Sequence, residues 1–161
     1  MIPNLERVMS ESPTLLEGYV YLWRLFDYTS LTPIERQVVY QTTNLKNECE
    51  YCVPWHTILA QASGMPEEEI EALRQGSGLS DARLEALRRF TRTLLIERGK
   101  ATVNDLEEFF AAGYSNQQAL EVILGIAIKV MSNYTNSIAD TPLDPQVEKL
   151  RWKKPKLESL S

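Results

Sequence analysis

The segment "NECEYCVPWHT", residues 47–57, contains both cysteines and the only histidine of this 161-residue chain. Cys49 and Cys52 form a CxxC pair, and His56 follows Cys52 by four residues. Two cysteines this close in sequence close a very short loop, so a disulfide between them adds little to the stability of a fold. In a reducing compartment such a pair is more often redox-active or metal-binding than structural.

Pro54 indicates where the helix that carries His56 begins. Proline has no backbone N–H and is tolerated in the first turn of a helix, so we expect this helix to begin within two residues of Tyr51. Cys52 then lies in or beside the first turn, where free N–H groups and the positive end of the helix dipole lower the pKa of a thiol. His56 lies one turn further along the same face and is placed to exchange a proton with that thiol.

This arrangement supplies a nucleophile, a base and a resolving thiol. A peroxide oxidises a thiolate such as Cys52 to a sulfenic acid, and Cys49 can condense with it to form a disulfide. Two other interpretations are that the cysteines are small buried hydrophobes, or that they bind zinc with His56 and with water or Glu48. A closed zinc site usually takes a second pair of Cys or His ligands, and the chain has none. We therefore expect neither a metal nor a cofactor.

Helix start and stop signals recur on both sides of this segment, and no strand-like alternation of apolar and polar residues occurs. The signals are N-caps before proline, capping boxes and a glycine stop, at Ser12–Pro13, Thr32–Glu35, Gly64, Thr102–Asp105 and Ser115–Gln118. They predict an all-α fold of about seven or eight helices in a single domain over residues 1–161. The last long helix is apolar around most of its circumference, so we expect it to be buried on several sides, partly by another subunit.

Composition and charge exclude several classes of partner. The chain is 43% hydrophobic and 24% charged with a net charge of −5, which gives it no general attraction to nucleic acid or anionic membranes. The most apolar run, residues 119–131, is too short to span a bilayer and contains Glu121 and Lys129. No signal peptide is visible at the N-terminus, so we expect a cytoplasmic protein. The basic cluster near the C-terminus is expected to be a solvated tail, with docking onto an acidic neighbouring subunit as the alternative; it comprises Arg151, Lys153, Lys154 and Lys156. Pro142, Pro145 and Pro155 interrupt this part of the chain.

The stretch "LTPIERQVVYQTTNLKNECEYCVPWHT", residues 31–57, resembles the pattern of the AhpD-like alkylhydroperoxidase branch of the carboxymuconolactone decarboxylase family. That pattern is an apolar helix, then CxxC, then a histidine. The resemblance implies an all-α homo-oligomer, trimeric or hexameric, that reduces an organic hydroperoxide and is restored by a dithiol or a protein reductant. It also implies that Cys52 is the peroxidatic cysteine, that Cys49 resolves it, and that His56 relays a proton.

The chain departs from this pattern at two positions near the cysteines. The relay glutamate of the best-studied members, twelve residues before the first cysteine, is Gln37 here, which cannot act as a base. Glu35 is near, but its place in a capping box predicts a capping role. Tyr51 stands where some peroxidases have a histidine. Glu48 and Glu50 flank Cys49 and are candidates to support the relay, although solvated surface acids are the favoured interpretation.

The sequence thus predicts a thiol-dependent peroxidase or disulfide reductase, and two further functions are weighed beside it. One is a non-enzymatic redox sensor, in which the same disulfide forms stoichiometrically without turnover. The other is a lactone or carbon-acid decarboxylase-type enzyme in which His56 is the base and the cysteines are incidental. The apolar residues Val53, Trp55 and Ile58 would suit an organic hydroperoxide better than hydrogen peroxide; the alternative is that they are simply part of the core.

Overall fold

A computed structural model describes residues 2–154, and every regular element in this range is helical. The eight α-helices of the described residues are α1 (Asn4–Met9), α2 (Pro13–Asp27), α3 (Pro33–Lys46), α4 (Cys52–Ala62), α5 (Glu67–Gln75), α6 (Ala82–Ile96), α7 (Val103–Ala111) and α8 (Asn116–Ala139), followed by a 3₁₀ helix, Pro145–Leu150. The all-α prediction is confirmed. Pro155 and Lys156 of the predicted C-terminal tail lie outside the described residues.

Helix boundaries follow the capping chemistry of the sequence. Thr32, Thr102 and Ser115 each accept a hydrogen bond from the backbone N–H three residues on, and the side chain of that residue accepts one in return. These reciprocal bonds satisfy donors that a helix start leaves free. α4 begins at Cys52, so Pro54 occupies its first turn as expected. Gly64 follows α4 with φ of 82°, a left-handed conformation that stops the helix.

α3 lies at the centre of the molecule and packs against α4, α5, α6 and α8. Because it has neighbours on several sides, even its polar residues are buried: Gln41, Thr42, Thr43 and Asn44 are all enclosed. Buried amides and hydroxyls need hydrogen-bond partners. Asn44 donates to Gln41, and Gln41 donates to Val53 in α4, so α3 brings a polar network into the interior next to the start of α4. The Thr42 hydroxyl has no partner among the described residues.

Gly125 lies in α8 where this helix packs tightly against α2 and α3. A Cβ atom at this position would lie 2.7 Å from both the Phe26 ring and the Val39 side chain, which are fully buried. Alanine favours a helix over glycine by roughly 0.5–1 kcal/mol, but overpacking a core costs roughly 1–3 kcal/mol. We expect Gly125→Ala to lower the free energy of unfolding by about 1–2 kcal/mol, measured by denaturant titration.

Gly18 in α2 is the matched control for this substitution. A Cβ there would meet only the terminal methyl of Met131, at 3.7 Å, which is an ordinary van der Waals contact. Gly18→Ala should therefore raise the free energy of unfolding by about 0.5–1 kcal/mol through helix propensity alone. A Gly125→Ala variant as stable as Gly18→Ala would contradict the close packing described here.

The outer face of α8 is not covered by the other residues that the structure describes. Its exposed apolar side chains are Leu120, Ile123, Tyr134 and Ile138. An exposed apolar stripe of this kind is typical of an association surface, and the expected homo-oligomer stays a prediction. Of the helices in residues 2–154, none combines the length and the hydropathy of a membrane-spanning segment.

Candidate active site

The turn between α3 and α4 holds both thiols at the protein interior. Cys49 lies in this turn and Cys52 is the first residue of α4; both are free thiols, exposed by only 6% and 2%. The N–H of Cys49 donates to the carbonyl of Asn44, and the N–H of Cys52 donates to the carbonyl of Cys49 at 3.1 Å and to its sulfur at 3.3 Å. These bonds fix the two cysteines in one tight turn.

α8 contributes an amide that contacts both sulfurs. Asn136 Nδ2 lies 3.2 Å from Cys52 Sγ and 3.8 Å from Cys49 Sγ. A neutral amide N–H is a better donor to a thiolate than to a thiol, so this contact favours the ionised form of whichever sulfur it serves. The shorter distance assigns that effect mainly to Cys52.

A chain of amide side chains runs beside the thiols and links α3 to α8. Asn47 donates to Asn133 at 2.9 Å, Asn133 donates to Asn44 at 2.9 Å, and Asn44 donates to Gln41 at 3.0 Å. Gln41 in turn donates to the carbonyl of Val53 in the first turn of α4, at 3.1 Å. Each of these side-chain amides donates to one specific acceptor, so the network fixes the position of α4 relative to α3 and α8.

The two thiols differ sharply in acidity. Burial opposes ionisation of Cys52, but the Cys49 thiol, the Lys129 ammonium and the amides of Asn133 and Asn136 outweigh it and lower the pKa of Cys52 to about 6. The bond to Cys52, together with burial, raises the pKa of Cys49. The direction agrees with the low pKa expected for Cys52, and the largest lowering causes are neighbouring side chains.

His56 is fully enclosed, and both of its ring nitrogens have partners. Nδ1 lies 2.9 Å from Gln37 Oε1, and Nε2 lies 2.9 Å from Lys129 Nζ. A lysine ammonium can only donate, so Nε2 accepts and Nδ1 carries the proton that is donated to Gln37. Burial and the adjacent Lys129 charge hold the pKa of His56 well below its usual value. His56 is thus a neutral imidazole of fixed tautomer.

Lys129 is the principal site residue that the sequence did not indicate. It lies in α8 with 1% of its surface exposed, and its ammonium lies 5.8 Å from the Trp23 ring centroid and 5.6 Å from that of Tyr40. In the sequence it counted only as a charge that interrupts the apolar run 119–131. Its position could have indicated a functional role, because a lysine within a helix that is apolar on most sides places a charge in the core.

A cavity of about 320 Å³ opens beside Cys52. Cys52, His56 and Lys129 share its wall with four aromatic side chains, Tyr19, Trp23, Tyr51 and Trp55. Cys49 lines a different groove, of about 580 Å³, whose other lining residues are mostly polar. The two thiols therefore face different surroundings, one aromatic and one polar.

Asp144 accepts hydrogen bonds from several residues in and beside the cavity wall. Its carboxylate accepts hydrogen bonds from the Tyr51 hydroxyl, from Trp55 Nε1 at 3.0 Å, and from the backbone N–H of Asn4 at 3.2 Å. The Tyr51 oxygen also accepts from the N–H of Leu5 at 3.1 Å. Tyr51 is thus fixed by these contacts, and the structure places it in the cavity wall and not in a bond with a sulfur.

Two of the three candidate glutamates, Glu35 and Glu48, are paired with basic side chains. Glu35 closes the capping box at the start of α3 and pairs with Arg83 at 3.0 Å, so the predicted capping role is confirmed. Glu48 pairs with Lys154 at the surface. Of the supporting residues considered from the sequence, Gln37 is the one that contacts the histidine.

Residues 2–154 contain no group of three His, Cys, Asp or Glu side chains that could hold a metal ion. Both nitrogens of His56 are already hydrogen-bonded, and the neighbouring Lys129 ammonium repels a cation. Zinc coordination by Cys49, Cys52 and His56 thus finds no ligand set among the described residues.

The helical fold thus carries a buried CxxC pair with one acidic thiol beside an aromatic cavity, which defines a candidate dithiol site. The chain belongs to the carboxymuconolactone decarboxylase family, whose model matches residues 13–92. The resemblance noted from residues 31–57 is thereby confirmed. Among proteins of curated function, none matches the chain by sequence.

Solved structures share the fold over most of the chain. An alkylhydroperoxidase AhpD core protein, a peroxidase-related protein from Ralstonia eutropha, superposes with a TM-score of 0.81 at 16% identity, covering 91% of this chain and 80% of that one. A peroxidase-related protein from a Silicibacter species gives 0.79 at 19% identity, with 91% and 79% covered. The debrominase Bmp8, a cysteine-to-alanine variant in complex with 2,3,4-tribromopyrrole, gives 0.76 at 18% identity, with 90% and 79% covered.

Proposed function

We propose that the protein is a thiol-dependent peroxidase that reduces an organic hydroperoxide at Cys52. One observation carries the proposal: the more acidic thiol faces the aromatic cavity, while its CxxC partner stays protonated and faces a separate polar groove. A thiolate is the reactive form of cysteine, and an aromatic cavity suits an apolar substituent on the peroxide.

The chemistry has three steps. The Cys52 thiolate attacks the outer oxygen of ROOH, so that an S–O bond forms, the O–O bond breaks, and the alkoxide leaves as ROH after taking a proton. The Cys49 thiol then attacks the sulfenic sulfur of Cys52; a disulfide forms and water leaves. A dithiol reductant exchanges with this disulfide and returns both cysteines to the reduced state.

The position of Cys49 supports a separate approach for the reductant. Its groove is lined by the acidic side chains Glu48, Glu50 and Asp140 and by the amides of Asn133 and Asn136. A dithiol that reaches Cys49 from this side need not pass through the aromatic cavity. The oxidant and the reductant can therefore use different surfaces of the same CxxC turn.

The two alternatives fit the geometry less well. A carbon-acid enzyme needs a free lone pair on His56, whereas Nε2 accepts from Lys129 and Nδ1 carries a proton committed to Gln37. A redox sensor needs the same disulfide but no substrate cavity, so the aromatic cavity beside Cys52 favours an enzyme. Catalytic turnover is the property that separates the two.

Turnover can be measured with cumene hydroperoxide as oxidant and excess dithiothreitol as reductant. We expect many equivalents of hydroperoxide to be consumed per chain, because each disulfide is reduced and re-enters the cycle. Methyl iodide-blocked protein is the control for uncatalysed reaction between the two reagents. Consumption that stops after one equivalent under excess reductant would support the sensor instead.

A halogenated aromatic compound is a second candidate oxidant, favoured by the four aromatic side chains that line the cavity. The electron balance is the same: the Cys52 thiolate takes the halogen, the ring carbon takes a proton, and Cys49 then displaces halide to form the disulfide. One of the structural relatives is a debrominase crystallised with a brominated pyrrole. Bromide release from tribromopyrrole, in the same assay, distinguishes this substrate from a hydroperoxide.

A further inference from the structure

We propose that Lys129 is a catalytic residue of this site: its ammonium is the countercharge of the Cys52 thiolate and protonates the alkoxide released from the hydroperoxide. The inference rests on the proposed peroxidase function for its second half. The first half, the charge pairing with Cys52, holds whatever the oxidant is.

The burial of Lys129 calls for an anion in the site. The groups that contact its ammonium are uncharged: the imidazole of His56 and the faces of Trp23 and Tyr40. Burying a charge away from water is costly unless it is paired, and cation–π contacts offset only part of that cost. Cys52 and Glu6 both line the cavity that holds Lys129, but Glu6 is partly exposed whereas Cys52 is buried. Lys129 acts electrostatically on Cys52, so the Cys52 thiolate is the buried counter-ion.

Gln37 and His56 hold the lysine in place. The Gln37 carbonyl oxygen takes the Nδ1 proton of His56, which leaves the Nε2 lone pair as an acceptor directed at Lys129 Nζ. One of the three ammonium N–H groups is thereby fixed, and the other two are left for groups in the cavity. A carboxylate at position 37 would instead favour a charged imidazolium, which would repel the Lys129 ammonium. The neutral side chain of Gln37 avoids this repulsion.

Lys129 can therefore supply the proton that neutral His56 does not, since the Nδ1 proton of His56 is donated to Gln37. When the Cys52 thiolate attacks ROOH, the S–O bond forms, the O–O bond breaks, and RO⁻ takes a proton from Nζ to give ROH and a neutral amine. Condensation of Cys49 with the sulfenic acid releases water and leaves the amine unchanged. Reduction of the disulfide by a dithiol regenerates one thiol and one thiolate, and the remaining proton returns to Lys129.

The test compares Lys129→Met with the wild-type protein in two measurements. The first is the pH dependence of iodoacetamide alkylation at Cys52, followed by peptide mass spectrometry; we expect the midpoint to rise by at least one pH unit in the variant. The second is the rate of a single turnover with cumene hydroperoxide at pH 7, which should fall about 10- to 100-fold. Lys100→Met, an exposed residue between α6 and α7, is the control and should change neither.

Chemical rescue separates a catalytic role from a structural one. In Lys129→Ala, added ethylammonium should restore part of the single-turnover rate, while the equally sized neutral propane should not. An unchanged alkylation midpoint and rate in Lys129→Met would overturn the proposal. Should both variants fail to fold, the wild-type protein still decides: a Cys52 alkylation midpoint near the ordinary thiol value of about 8.5 contradicts the charge pairing.

The alkylation readout also separates this inference from the proposed function. If the wild-type protein reduces no hydroperoxide, the peroxidase proposal fails, whereas the shift of the alkylation midpoint in Lys129→Met still tests the Lys129–Cys52 pair. If turnover occurs but Lys129→Met behaves as wild type, the peroxidase proposal stands and the role of Lys129 is wrong.

Discussion

Cys52→Ser is expected to reduce hydroperoxide no faster than buffer alone. A serine hydroxyl is not ionised at neutral pH and is a poor nucleophile toward a peroxide oxygen, so the first step is lost completely. Serine is close to cysteine in size, and Cys52 is a small part of the core, so the variant should still fold. The measurement is hydroperoxide consumption at pH 7, with circular dichroism to confirm the helical content.

Cys49→Ser is the matched control, and its expected behaviour is different. Cys52 can still react once, so this variant should consume one equivalent of hydroperoxide per chain and then stop, with a sulfenic acid that a dimedone probe labels at Cys52. The reverse result, in which Cys49→Ser is inert and Cys52→Ser reacts once, would show that the two roles are exchanged. Equal activity in both variants would exclude the CxxC chemistry.

The reaction rate of the thiols should depend on pH with a midpoint near 6. The Cys49 thiol, Lys129 and two asparagine amides lower the pKa of Cys52 to about 6 against the cost of burial, and only the thiolate reacts. The single-turnover rate is therefore expected to be nearly constant from pH 7 to 8 and to fall about tenfold between pH 7 and pH 5. A midpoint near 8.5 would contradict the electrostatics of the site.

Besides Cys52 itself, Glu6 and Lys129, the cavity wall carries three titratable side chains, and these three should not contribute to the profile. Burial raises the pKa of Tyr19 and of Tyr51, so both phenols stay neutral, and burial holds the pKa of His56 well below the range measured. Since the pKa of Cys52 is lower in the folded chain than in the unfolded one, ionisation also stabilises the fold at alkaline pH. That contribution is lost as the pH falls through about 6.

The parts of the fold that local chemistry determines were predictable from the sequence. The capping boxes at Thr32, Thr102 and Ser115 set helix starts through bonds spanning three residues, and Pro54 fixed the start of α4. The same local argument placed Cys52 at a helix start and His56 one turn further. Such predictions succeed because the partners are close in sequence.

The partners of these residues were not predictable, because they come from distant parts of the chain. Lys129 reaches His56 across 73 positions and Asn136 reaches Cys52 across 84, and both lie in α8. The direct contact expected between His56 and the thiol is instead replaced by bonds to Gln37 and Lys129. Helical periodicity showed that α8 is buried, but it could not show which of its polar residues face α4.

Reduction of hydroperoxide by the Cys49–Cys52 pair is tested most directly by counting free thiols in the wild-type protein after one equivalent of cumene hydroperoxide. We expect both thiols of each chain to disappear together. Peptide mass spectrometry should then find a Cys49–Cys52 disulfide, and dithiothreitol should restore both thiols. Thiols that remain reduced, with the hydroperoxide unconsumed, would contradict a peroxidase at this site.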